Sequence, residues 1–361
     1  YGAQWDGTMF EGKGVDLNWD TKWYSEVRFD EDKWVGEMAI PFKSIRYDET
    51  IKEWGINFGR LDLKASEKSS WAPVPRQFPS VSLAFAGRLV WDTPPPKQGV
   101  NASIIPYVSS ISEGSHLTED DSKAKVGADL KYTLTTALNL DVTLNPDFSQ
   151  AEVDQQVTNL DRFELFFPER RQFFLENADL FSNFGYRTIR PFFSRRIGLN
   201  VPIVAGARLS GNLDENWRVG LMNIQTKADE LQGLGAENYG VISLQRKVQE
   251  RSNINFLLVN KEAPNTDPSV SERYHRNAGV EYNYFSENNQ YNGKVMALRS
   301  INPDPSKTGT VIASHLEHQS IRWIWRVQQE YVSNTFIADI GFVPRTNYHK
   351  FEGSLGHLVY T

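Results

Sequence analysis

The chain has 361 residues, with 39 Lys and Arg against 45 Asp and Glu, a formal net charge of −6, and no cysteine. That balance offers no electrostatic footprint for nucleic acid, so no nucleic-acid partner is expected. The missing thiols exclude disulfides, thiolate metal sites and a cysteine nucleophile, and no run of about 18 apolar residues offers a spanning helix.

The chain opens at Tyr1 without methionine or a charged-then-apolar leader, and stops at Val359, Tyr360 and Thr361 inside a strand pattern. A piece of a longer chain is the expectation. Seven of the ten tryptophans (Trp5, Trp19, Trp23, Trp34, Trp54, Trp71 and Trp91) precede residue 92. That skew marks residues 1–92 as a separate unit. Short strand signals recur in it over residues 23–29, 34–40, 54–61 and 80–90, punctuated by Gly, Asp and Pro. They predict part of a compact all-β sandwich. Trp34 and Trp54 fall in strands and read as core. Trp5 and Trp71 fall in loop-like stretches and read as exposed.

Residues 93–99, TPPPKQG, form a linker. A proline run cannot donate to a sheet ladder and acts as a stiff spacer. Longer paired strands follow. Residues 102–109 make the first, and residues 125–145 make a hairpin. In that hairpin Val126, Ala128, Leu130, Tyr132 and Leu134 fall on one face, and Lys125, Asp129 and Lys131 on the other. Beyond the turn, Leu138, Leu140, Val142 and Leu144 alternate with Asn139, Asp141 and Thr143. Strands of this kind have one oily and one wet surface. Each is roughly as long as a tilted strand needs to cross a bilayer core.

Further strands are expected at residues 203–210, 217–226, 239–248, 254–260, 278–285, 291–300 and 321–331. Fainter ones are expected at 311–317, 336–342 and 351–360. Short polar turns such as 211–216 mix with longer loops such as 262–271, which is the habit of membrane barrels. The predicted fold class is all-β: a partial sandwich at 1–92, then an antiparallel transmembrane β-barrel portion over 100–361.

Residues 146–198 break the rhythm. Dense aromatics are mixed with Arg162, Glu164, Glu169, Arg170, Arg171, Arg195 and Arg196. This mixture suits neither lipid nor open solvent. It reads as a plug folded into the barrel lumen, where ion pairs can be satisfied.

At these residues a family resemblance enters. DFSQAEVDQQVTNLDRFELFFPERRQFFLENADLF (147–181) with PFFSRRIG (191–198) resembles a Bacteroidota outer-membrane β-barrel family of unsettled function. Its members carry an N-terminal domain similar to family 9 carbohydrate-binding modules. NWDTKW (18–23), KWVGEMAIPF (33–42) and WGINF (54–58) resemble that module's strands. The resemblance implies a cell outer-membrane location, contact with outer-membrane lipid, and a role in glycan binding or uptake and carbohydrate catabolism.

Trp5, Trp23 and Trp71 are the candidate stacking faces for a carbohydrate ligand, with Asp6 and Asp20 as polar partners; packing roles are the alternative. No cofactor is expected from any motif. The resemblance implies a structural calcium ion as the alternative, to which Asp6, Asp20, Asp30 and Asp32 would offer hard oxygen ligands, although no calcium-loop spacing is present.

An O-glycosyl hydrolase tethered to the membrane is the second function class, with Glu152 and Asp154 or Glu164 and Glu169 as the carboxylate pair. The interleaved arginines favour a salt-bridged plug instead. A structural partner of other envelope proteins is the third class. The six histidines form no zinc-like cluster.

Overall fold

A computed structural model of the chain describes residues 4–9, 15–16, 21–45, 47, 50–96, 102–115, 118–135, 137–148, 158–160, 162–199, 201–228, 234–263 and 273–359. It is nearly all β, as expected.

The first part contains β1 (Thr8–Met9), β2 (Val15–Asp16), β3 (Tyr24–Phe29), β4 (Trp34–Ala39), β5 (Glu53–Ile56), β6 (Gly59–Asp62), β7 (Glu67–Ser70) and β8 (Gly87–Val90). They pair antiparallel as four two-stranded sheets, β1 with β2, β3 with β4, β5 with β8, and β6 with β7. Asp62 makes the β6–β7 turn by accepting the backbone N–H groups of Lys64 and Ala65, both at 3.0 Å. Phe42, Tyr47, Trp54 and Trp91 meet ring to ring at 5.1–6.3 Å and form the packed centre of this part. Trp54 thus sits where a core residue should. Trp34 does not: it is 55% exposed, because its strand belongs to a two-stranded ribbon with no second layer over it among the described residues.

The second part is one twelve-stranded antiparallel sheet in sequence order. Its strands are β9 (Ala102–Ser115), β10 (Thr118–Thr135), β11 (Leu138–Leu144), β12 (Ile203–Asn212), β13 (Trp217–Thr226), β14 (Asn238–Val248), β15 (Ser252–Glu262), β16 (Tyr274–Phe285), β17 (Tyr291–Ile301), β18 (Gly309–Gln319), β19 (Trp323–Val332) and β20 (Tyr348–His357). β9 and β20 are its two edges, and no closure between them is present among the described residues. The stretch 336–342, expected as a strand, is instead a loop that ends in an isolated bridge at Phe342. Its Phe336, Ile340 and Phe342 are buried by packing rather than by sheet pairing.

The two faces differ. Ile203, Met222, Ile224, Val241, Leu257, Val259, Met296, Leu298, Val311, Ala313 and Val332 share one cluster with Phe174, Leu180, Phe181, Phe184, Ile189, Phe192 and Ile197. Side chains from β12 to β19 therefore converge on the segment between β11 and β12, and the sheet curls around it. The other face carries Leu221, Ile242, Phe256, Val280, Val295, Ile312 and Val327, which are 37–56% exposed.

The connections also divide. From β10 onward, one rim has links at 136–137, 213–216, 249–251, 286–290 and 320–322. The opposite rim has 145–202, 227–237, 263–273, 302–308 and 333–347.

Candidate functional site

The residues of the inner segment are first tied to each other. Glu169 Oε1 accepts the backbone N–H groups of Arg170 and Arg171 at 3.0 and 2.9 Å, and Arg171 Nε at 2.9 Å. Its Oε2 accepts Arg171 Nη2 at 2.7 Å and the Ser194 hydroxyl at 2.6 Å. Arg171 also donates to the carbonyls of Ile197 (2.8 Å) and Ser194 (2.6 Å), and its guanidinium lies over Phe174 at 4.3 Å. Burial pushes the Glu169 carboxyl up, but the Arg171 guanidinium together with Ser194 and the backbone N–H of Arg171 outweighs it and holds the group below its ordinary value. Glu164 pairs with Arg196, and Arg195 donates to the Pro168 carbonyl at 2.9 Å. Arg162 is exposed, with its guanidinium 5.0 Å from the Phe163 ring.

Two short helices, α1 (Gln172–Leu175) and α2 (Asp179–Ser182), then run along the inner face of the sheet. Each turn has a wall partner. Glu176 accepts Asn139 Nδ2 at 3.1 Å and lies 3.6 Å from Lys131 Nζ. Asn177 donates to the Ser210 hydroxyl at 3.0 Å, Ser243 donates to the Leu180 carbonyl at 2.5 Å, and Arg218 pairs with Asp179 at 2.8 Å. Beneath α1, Arg208 is 1% exposed and pairs with Asp141 at 2.7 Å.

The tip is a tight turn in which Tyr186 and Ile189 exchange two backbone bonds, both at 3.0 Å. Gly185 enters it at φ +95°, where an added Cβ would lie 2.1 Å from the Ile189 carbonyl oxygen. Its N–H donates to Glu281 Oε2 at 2.8 Å, and its carbonyl accepts Lys294 Nζ at 2.8 Å. Glu281 and Lys294 pair at 2.7 Å with side chains 0% and 6% exposed. Asn255 and Asn283 donate to Glu281 Oε1 at 2.9 and 3.0 Å. The Tyr186 hydroxyl sits 3.2 Å from His315 Nδ1, and burial, then the Glu281 charge, raises its pKa and keeps its proton on. Beyond the tip, Arg190 and Phe342 exchange backbone bonds at 3.0 and 2.8 Å, so the loop 333–347 closes over the segment.

The structure therefore brings together Glu164, Glu169, Arg171, Arg195 and Arg196 of the expected cluster, with Arg170 joined through its backbone. Sequence reasoning missed the wall side: Arg208, Glu281 and Lys294. Their signal was a long charged side chain at an inward position of an otherwise regular strand.

The carbohydrate candidates are dispersed. Trp5 and Trp71 are 79% and 60% exposed, and Trp23 is half-buried. Asp6 accepts the Thr21 N–H at 3.0 Å, and Gln4 Nε2 reaches the Trp23 carbonyl and the Ser25 hydroxyl, so Trp5, Asp6 and Trp23 share a neighbourhood. Trp71 packs elsewhere, edge-on to Phe58 at 5.9 Å and over Gly87. Asp20, Glu152 and Asp154 lie outside the described residues. Asp30 pairs with Arg28, and no group of three or more metal-ligating side chains occurs among the described residues.

On the outer face, Leu140, Ala207, Leu209, Leu221, Ile242 and Leu258 line a shallow groove of about 360 Å³ around Gly240, with Asn223 and Asn260 at its rim. Around the short-link rim the same face carries aromatic rings. Tyr291, His318 and Trp325 pack at 4.5–6.2 Å, and Trp323 meets His357 at 4.6 Å.

Residues 99–219 and 201–361 match the model of a family described as Domain of unknown function (DUF5916). No curated protein matches the chain.

Proposed function

Since the chain belongs to the family described as a domain of unknown function (DUF5916), we propose a function from its geometry: an outer-membrane β-barrel protein that binds or takes up glycans. One observation carries the proposal. The outer face of the sheet carries an apolar band, exposed at Leu221, Ile242, Phe256, Val280, Val295 and Ile312, and bounded at the short-link rim by Tyr291, Trp323 and Trp325. Large apolar side chains exposed on neighbouring strands of one face mark an interaction or membrane surface rather than open water. An apolar band edged by aromatics, with short links on one rim and, the β9–β10 link aside, longer ones on the other, is the pattern of an outer-membrane barrel. The inner segment then serves as a plug.

The same rule gives an orientation. Short turns face the periplasm and long loops the exterior. β9 starts and β20 ends at the short-link rim, and Gln319 of that rim donates to the Gln77 carbonyl of the first part. We therefore assign residues 4–96 to the periplasmic side. There the exposed Trp5 and Trp71 would offer flat apolar faces to sugar rings, in a domain of the family 9 carbohydrate-binding type.

Liposome flotation tests the membrane reading. The refolded chain is expected to float with liposomes and to migrate faster on gels when unheated. A chain soluble and monodisperse without detergent overturns it. Glycan-array binding that survives in the variant Trp5→Ala/Trp71→Ala overturns the stacking assignment.

A further inference from the structure

The apolar band is interrupted at its long-loop end. Asn223, Gly240, Asn260 and Arg276 stand directly opposite one another on β13, β14, β15 and β16. Arg299 on β17 pairs with Ala278, and so is a diagonal neighbour of Arg276 on the same face. Arg276 Nε donates to Asn260 Oδ1 at 2.7 Å, and its guanidinium lies over the Tyr274 ring at 4.2 Å. Arg299 Nη1 donates to the Thr310 hydroxyl at 3.1 Å. Asn260 thus joins the arginine pair to the apolar groove whose floor is Gly240. Glu262, opposite Tyr274 and Asn238, stands on the same face one step nearer the loops.

Two guanidinium groups beside an apolar slot match an amphiphile with a phosphate at one end. Guanidinium binds phosphate in paired hydrogen bonds, and a slot of leucine and isoleucine takes an acyl chain. We propose that this is a lipid site. One acyl chain lies in the groove over Gly240, and Arg276 with Arg299 holds the phosphate. The inference rests on the membrane reading. Because the long loops face the exterior, the lipid belongs to the outer leaflet, and we assign it as the phosphorylated lipid A of lipopolysaccharide.

Gly240 provides a clean test. A Cβ added there meets nothing nearer than Asn223 Nδ2 and Asn260 Cβ, both at 3.9 Å, so Gly240→Leu fills the groove without forcing the sheet. The full chain in detergent is titrated with purified lipid A, dephosphorylated lipid A and phosphatidylglycerol, read by native mass spectrometry. Lipid A is expected to bind best. Arg276→Gln/Arg299→Gln and the loss of phosphate should each weaken it about tenfold, as expected for lost charge-assisted hydrogen bonds. Gly240→Leu should weaken lipid A and dephosphorylated lipid A alike.

Equal affinity for dephosphorylated lipid A overturns the arginine assignment, even if the double variant fails to fold. Equal affinity for phosphatidylglycerol overturns the lipid A assignment, and unchanged binding in Gly240→Leu overturns the groove. Flotation of the wild type in parallel separates the readings. A chain that floats without discriminating lipids loses only this site, whereas a chain that does not float loses the membrane reading and the site with it.

Discussion

Glu281 and Lys294 form a buried ion pair that also hydrogen-bonds Asn255, Asn283 and both backbone groups of Gly185. Such a pair adds little net stability over an apolar one, but losing one partner strands a charge in a dry site. Lys294→Met is therefore expected to cost about 3–5 kcal/mol, and Glu281→Gln a similar amount. The double variant should cost clearly less than the sum of the two, as read from urea unfolding midpoints. Additive losses would mean that the two side chains are not coupled.

Glu169 adds a dependence on acidity. Its folded pKa lies below the ordinary value of 4.5. Its contribution is thus complete above that value and is lost as pH falls through the lower folded one. Protease cleavage within residues 163–198 should rise on acidification through that window. Glu169→Gln should remove this dependence, with cleavage already high at neutral pH. A wild-type profile that stays flat below pH 4.5 would contradict the role of Glu169 in holding α1 against Ser194.

At the level of elements, α2 docks where β13 offers no side chain. A Cβ on Gly220 would approach Phe181 Cζ to 2.8 Å. Gly220→Val should therefore lift α2 from the wall at a cost of about 1–3 kcal/mol by overpacking, whereas Gly240→Leu on the opposite face should be nearly neutral. Differential scanning calorimetry of both variants checks the contrast.

The strands of the large sheet were legible because residue alternation reports burial directly: Asp141 and Lys131 face inward in the structure as their positions in the pattern require. The stretch 336–342 misled for the same reason. Phe336, Ala338, Ile340 and Phe342 recur at every second position, yet Phe336 and Ile340 join the inner cluster from a loop, and Phe342 packs on Phe193 beside its bridge to Arg190. The first part was less legible. Its tryptophans signal β structure, but which of them share a surface depends on contacts such as Gln4 to Ser25, far apart in sequence. The wall partners of the inner segment were hidden likewise. Nothing local to Glu281 announces Gly185, 96 positions away.

For the whole molecule, the absence of cysteine makes orientation directly measurable. In intact cells, Asp304→Cys in a long link should label with an impermeant maleimide, while Glu215→Cys in a short link should label only after lysis. The reverse pattern would invert the assigned orientation and place residues 4–96 outside.

The sheet's two free edges carry a further constraint. β9 rises from the short-link rim and β20 returns to it, so the edges run in opposite directions. They can join each other, or accept an even number of intervening strands, and keep antiparallel pairing throughout. An odd number would force one parallel seam. Parity therefore limits every assembly this sheet can enter: a single strand donated by another molecule can cap one edge but cannot close the ring in uniform antiparallel order, whereas a hairpin can.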